Sequence, residues 1–173
     1  MKRETVSFRL LEASDLEPLT TFFLGLSAET QRHYNPHPLN RETAEQLCDS
    51  AGAGLFVAVA EDGEILAYMI LARYIAKSDR ARYGDKLSPD RCASFAPVVA
   101  DAYQGMGIGT LMARYVLDSA KRMGLSQVIL MGGVQERARH FYERLGFRYT
   151  GEFQSDYGLL YDMLIELQGG DDE

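Results

Sequence analysis

Residues 98 to 112 read Val98-Val-Ala-Asp-Ala-Tyr-Gln-Gly-Met-Gly-Ile-Gly-Thr-Leu-Met112: an apolar run, a tyrosine, three alternating glycines, then a stretch with helical periodicity. The pattern predicts a strand turned into a helix through a glycine loop. Gly105, Gly107 and Gly109 lack a Cβ, so the backbone can adopt positive φ and bring its amides close to a bulky anion at a helix start. A loop of this kind is a phosphate cradle.

Elimination narrows the kind of cradle. The ATP-binding loop needs Gly-Lys-Ser/Thr, and this loop has no lysine. The dinucleotide fingerprint needs a third glycine where Thr110 or Leu111 stands, and an acidic residue about 20 positions on, at the end of the next strand. That strand, predicted over Val128 to Met131, ends in Gly132-Gly133. What remains is Gln104-x-x-Gly107-x-Gly109. It resembles the Gln/Arg-x-x-Gly-x-Gly/Ala pyrophosphate loop of the GCN5-related N-acetyltransferase (GNAT) superfamily. A second stretch, Ala138-Arg-His-Phe141-Tyr142-Glu-Arg-Leu145-Gly146-Phe147, is similar to the other signature of that superfamily, Ala-x-x-Phe/Leu-Tyr-x-x-x-Gly-Phe. The two motifs follow one another in the family's order and spacing.

The resemblance implies a mixed α/β (α+β) fold: a mostly antiparallel central sheet with splayed strands and helices on both faces. It implies acetyl-CoA as the cofactor, CoA as the product, and transfer of an acetyl group to a primary amine by direct attack in a ternary complex. In the family the pyrophosphate lies on the loop, here Gln104, Gly105, Met106, Gly107, Ile108, Gly109 and Thr110, with Gln104 bracing it. The pantetheine arm lies along the preceding strand, here Val98 and Val99. Tyr142 stands where the family has its general acid, and Gln135 where it usually has an asparagine on the cofactor arm. A small-molecule amine or a protein amine both fit as acceptor. The resemblance also admits a homodimer formed through the last strands.

The general base is not legible in the same way. Many relatives have a glutamate on the strand before the loop, where this chain has Cys92, Ala93, Ser94 and Phe95. Asp101, Glu152, Asp156 and Asp162 are the other carboxylates considered, and a water relay ending on one of them is the expectation. The missing strand carboxylate keeps an alternative open: a non-catalytic acyl-CoA-binding sensor or regulatory module.

Outward from the loop, Ile108, Leu111, Met112, Tyr115, Val116 and Met123 recur at helical spacing, with Gly124 as terminator. A helix is predicted from about Glu136 to Leu145, then strands over Tyr149 to Phe153 and Leu159 to Leu167. Upstream, Val6 to Glu12 reads as a strand, and Asp15 as the cap of a helix bearing Leu16, Leu19, Phe22, Phe23 and Leu26. Residues 27 to 39, broken by Pro36 and Pro38, read as a loop or short turn. Asn40 is expected to cap a helix that ends at Gly52. Leu55 to Ala60 and Ile65 to Tyr74 flank Asp62-Gly63, a hairpin signal. Ala76 to Asp90 reads as a long polar loop before a strand over Cys92 to Val99, with a bulge expected near Pro97. Both polar segments, 27 to 39 and 76 to 90, are expected to border the acceptor.

Composition bounds the rest. The 173 residues predict a single domain over 1 to 167, followed by an acidic flexible tail at 168 to 173. A net charge of −7 argues against broad affinity for nucleic acid. No apolar run approaches the roughly 20 residues of a membrane span, and the first residues are not followed by the apolar stretch of a secretory leader. The expectation is a cytoplasmic protein without a membrane partner. Cys48 and Cys92 are read as small buried hydrophobes. His33 and His37 are four apart but separated by Pro36, so no metal site is expected, and His140 is placed at the surface.

Overall fold

The computed structural model describes residues 5–34, 36–51 and 54–168. The predicted helix end at Gly52 and residues 169–173 of the predicted tail lie outside these. Among the described residues the strands form one seven-stranded sheet of order β1-β2-β3-β4-β5-β7-β6. These strands are β1 (Val6–Leu10), β2 (Leu55–Ala60), β3 (Ile65–Ala72), β4 (Cys92–Val99), β5 (Gln127–Leu130), β6 (Arg148–Ser155) and β7 (Gly158–Glu166). The β1–β2, β2–β3, β5–β7 and β6–β7 pairs are antiparallel. β4 and β5 run parallel from Cys92↔Gln127 to Phe95↔Leu130. The mixed, mostly antiparallel sheet is as expected. The helices are α1 (Leu16–Gly25), α2 (Ala28–His33), α3 (Arg41–Asp49), α4 (Lys77–Tyr83), α5 (Ile108–Arg122) and α6 (Glu136–Leu145). None of those described is long and apolar enough to cross a membrane.

Two compact units divide the chain, each made of two stretches: Met1–Ile70 with Pro97–Ala113, and Leu71–Ala96 with Arg114–Glu173. In the first, Leu11, Leu19, Phe22, Phe23, Leu26, Val57, Tyr68 and Val98 are buried in one cluster. A fully buried Leu or Phe side chain contributes about 1.5–3 kcal/mol, so the α1 stripe seen in the sequence anchors this unit. Asp15 does not cap α1 with its side chain. Its carboxylate turns back to accept both Arg9 guanidinium nitrogens at 2.7 and 2.9 Å and the Glu12 amide at 2.8 Å, closing a 3-10 turn at Ala13–Asp15. Asn40 caps α3 as expected, accepting the Thr43 amide at 2.9 Å. The Asp62-Gly63 hairpin is present, with Gly63 at φ 91° and the Glu64 amide on Asp62 Oδ1 at 2.9 Å.

Two segments expected to be loops are partly helical. Within 27 to 39, α2 forms because Ser27 caps it, its Oγ accepting the Thr30 amide at 3.1 Å. Within 76 to 90, α4 is followed by a 3-10 turn at Gly84–Lys86. Its Asp79 and Arg82 are polar in sequence but are satisfied inside the fold, so polarity misled the reading of this segment. Gln127 holds the following residues, accepting the Ser88 amide at 2.6 Å and donating to Lys86 O at 2.7 Å. On α5 the buried positions are Met112, Ala113, Val116, Leu117 and Ala120, whereas Leu111, and Met123 just past its end, are exposed. Two alanines share the packed face with Met112, Val116 and Leu117.

Candidate active site

In the first unit, β4 ends at Val99 and a 3-10 turn over Asp101–Tyr103 leads into the glycine loop. Gln104 reaches back over this turn, its Nε2 donating to Val99 O at 3.0 Å, so the loop is braced from within. Gly105 and Gly107 stand at φ 76° and 89°, where a Cβ would be strained. An ideal Cβ on either would meet no protein atom within 4 Å, so the protein's own packing does not fill the space in front of them. α5 begins directly after, its first helical bond running from the Leu111 amide to Gly107 O at 3.1 Å. The amides of Ile108, Gly109 and Thr110 therefore lie at the positive end of a 15-residue helix, without intrahelical acceptors. Positive-φ glycines, open space and a helix N-terminus suit a pyrophosphate, and on that test the residues present fit the cofactor. Val98 is buried in the core cluster, leaving its backbone as the group it can offer.

Asp101, one of the carboxylates named as a candidate base, is engaged. Its carboxylate accepts the Ser27 amide at 2.9 Å, the Ser27 hydroxyl at 2.7 Å and the Thr30 hydroxyl at 2.8 Å. Desolvation pulls its pKa upward, but the combined hydrogen bonds win and hold it below the ordinary carboxylate range. A carboxylate so held is a poor proton acceptor. In the same unit His37 Nδ1 lies 2.8 Å from Pro38 O and Nε2 3.2 Å from the Tyr68 hydroxyl. A carbonyl only accepts, so Nδ1 carries the proton and Nε2 receives the Tyr68 O–H. Phe23, Tyr34 and Tyr68 surround the imidazole at centroid distances of 5.4–5.6 Å. Burial pushes the His37 pKa down, against the smaller effect of its Pro38 bond.

In the second unit, α6 carries Tyr142, buried between Phe141 and Phe147 in edge-on contacts at 5.0 and 5.5 Å. Desolvation raises its pKa, so the phenol keeps its proton at neutral pH. Gly146, at φ 106°, ends the helix, with the Phe147 amide on Tyr142 O at 3.0 Å. Gln135 occupies the N-cap of α6. His140 is exposed, as expected. Asp162, a candidate base, is buried and gripped by Arg82 at 2.8 and 3.2 Å, while Glu152 and Asp156 are exposed. Cys48 and Cys92 are buried free thiols, Cys92 with its pKa pushed by burial up to about 11. Sequence reasoning missed the Asp101–Ser27–Thr30 and Asp79–Arg82–Asp162 groups. The i, i+3 spacing of Asp79 and Arg82 was the one visible signal for the second.

The family model described as "Acetyltransferase (GNAT) family" matches residues 23–147. Among solved structures, the chain is similar to an acetyltransferase of GNAT family from Streptococcus pneumoniae (TM-score 0.70, 19% identity, 95% of this chain and 100% of that one). It is also similar to a GCN5-related N-acetyltransferase from Kribbella flavida (TM-score 0.69, 23% identity, 94% and 98%). A third is yncA from Salmonella typhimurium, solved with its cofactor acetyl-CoA (TM-score 0.66, 16% identity, 98% of each chain). No curated protein sequence matches significantly. With most of its length matched by the family model, the chain belongs to the GNAT acetyltransferase family and is an acyltransferase with acetyl-CoA as its cofactor.

Proposed function

We propose that the protein is an N-acetyltransferase that passes the acetyl group to a primary amine by direct attack, without an acyl-enzyme, on a small molecule or a protein. The observation that supports this best is the loop of Gln104 to Thr110, braced on Val99 and opening α5 with unfilled space at its glycines. When bound, acetyl-CoA supplies the acetyl group as a thioester. The amides of Gly105 to Thr110 would hold the pyrophosphate, and the backbone of Val98 and Val99 would hold the pantetheine arm, with Gln135 offering its side-chain amide to that arm. Tyr142 holds a proton at Oη for the departing thiolate, and its raised pKa keeps that proton in place. Neither buried thiol is suited to nucleophilic work, which favours direct attack over a covalent intermediate. The ammonium proton leaves through water, since Asp101 and Asp162 are both committed to hydrogen bonds.

That commitment also supports a second reading, a non-catalytic acyl-CoA-binding module. Steady thiol release from acetyl-CoA, followed with a panel of primary amines beside a calorimetric CoA titration, separates the two. Binding with amine-dependent release supports transfer. Binding with no release under any amine supports the module, and no binding removes both.

A further inference from the structure

Asp79, on α4, is almost fully buried, with 1% of its surface exposed, yet no catalytic role uses it. One of its oxygens takes Arg82 Nη2 and the other accepts the Gly132 amide at 3.1 Å. Arg82 in turn holds Asp162 of β7 with two bonds and lies over the Phe153 ring of β6, its Cζ 3.7 Å from the centroid. Tyr83 adds a bond to Met163 O at 2.9 Å. α4 is thus pinned to β7 beside the turn that leaves β5.

That turn is unusual in its backbone. Gly132 and Gly133 are consecutive left-handed residues at φ 71° and 76°. The Gly133 amide reaches back to Leu130 O at 3.5 Å, whereas the Gly132 amide needs an acceptor from elsewhere in the fold. Asp79 supplies one. Phe153 closes on the other glycine: a Cβ on Gly133 would stand 2.7 Å from Phe153 Cε1. Val134 then exchanges two bonds with Tyr161 at 2.9 and 2.8 Å, and Gln135 starts α6. Gly132, Gly133 and Val134 are therefore each met by α4, β6 or β7 before Gln135 begins α6.

We infer that Asp79 is a positioning residue for the transfer reaction: through the Gly132 amide it fixes the Gly132–Gln135 turn, and with it the seats of Gln135 and Tyr142. This rests on the roles given to those two residues above. The grouping of two carboxylates around one guanidinium fits the same purpose. Pairing Arg82 needs only Asp162, whereas the second carboxylate is what reaches the turn.

The test compares Asp79→Asn with Asp162→Asn. Both weaken the hold on Arg82, but only the first changes the acceptor of Gly132. Amide hydrogen exchange should speed up at Gly132 to Gln135 in Asp79→Asn by roughly tenfold or more, with the β6–β7 amides unchanged. In steady-state acetyl transfer, Asp79→Asn should lower kcat about tenfold through Tyr142 and raise KM for acetyl-CoA about two- to threefold through Gln135, and adding Tyr142→Phe should cost less than it does in the wild type. Asp162→Asn should show neither effect. Equal exchange and equal kcat in the two variants would reduce Asp79 to a structural ion pair and overturn the inference. Asp79→Glu, which keeps the charge but shifts the oxygens by a methylene, should repeat the exchange pattern if Asp79→Asn does not fold. A wild-type chain that releases no thiol would sink the transfer reading alone, because the exchange pattern still decides whether Asp79 sets the turn.

Discussion

The Asp101 carboxylate accepts the Ser27 hydroxyl at 2.7 Å, tying the turn that enters the glycine loop to the cap of α2. Ser27 is therefore held twice, by its own capping bond to Thr30 and by a residue more than seventy positions away. Asp101→Ala removes all three acceptor contacts and leaves α2 with its local cap alone. The expected result is a rise of about three- to tenfold in KM for the amine, with CoA affinity within about twofold of wild type. Steady-state kinetics with the amine varied, beside calorimetry with CoA, reads both. A larger loss in CoA affinity than in amine KM would mean that Asp101 serves the loop and not α2.

The glycine loop permits two independent tests. Gly107→Val places a branched side chain at φ 89° and in the open space before the loop, so it should weaken CoA binding strongly. Backbone strain of about 1–3 kcal/mol accompanies it, so a thermal melt must show the variant folded. Met106→Glu avoids the strain, because Met106 is exposed and the change only brings a carboxylate to the loop. Like-charge repulsion should lower CoA affinity by about tenfold at low salt and less at high salt. Unchanged affinity in both folded variants would take the pyrophosphate off this loop.

His37 gives a signature in stability against pH. Burial lowers its pKa in the folded chain below the 6.5 of the free imidazole. Above that value both states are neutral and the group is silent. As pH falls below it, the unfolded chain takes up a proton that the folded chain refuses, so stability drops until the folded pKa is reached. Urea titrations should show this loss below about pH 6.5, and His37→Gln should flatten it. An unaltered pH profile would place the acid sensitivity on other groups.

Much of the fold was legible because the deciding residues announce themselves locally. Asn40 caps a helix, Asp62-Gly63 turns a hairpin, and Leu19, Phe22 and Phe23 form one apolar stripe. Local rules suffice in such cases. What escaped was mostly non-local. Ser27 lay in a segment read as a loop or short turn, and neither its cap nor its tie to Asp101 was seen. Asp79, Arg82 and Tyr83 made residues 76 to 90 look solvated, although their partners lie on β7 and the Gly132 turn. On α5, Ala113 and Ala120 are buried while Leu111 is exposed, an inversion that hydrophobicity alone does not predict. The glycine loop and the helix carrying Tyr142 were legible through motifs, while the fate of Asp101 and Asp162 depended on partners far along the chain.

Tyr142→Phe isolates the phenol. Phe keeps the ring that meets Phe141 and Phe147 edge-on and deletes only the hydroxyl, so the fold and the seat of α6 should persist. A general acid contributes roughly 10²–10⁴ in rate, so single-turnover acetyl transfer at saturating cofactor and amine should slow by that order. Acetyl-CoA affinity should hardly change, because the proton matters only as the thiolate leaves. Because desolvation holds the phenol pKa above its ordinary 10, the wild-type rate should not fall on an alkaline limb near that value on account of Tyr142. A loss below about threefold in Tyr142→Phe would return this residue to packing alone and leave thiolate departure to water, since a general acid typically contributes far more.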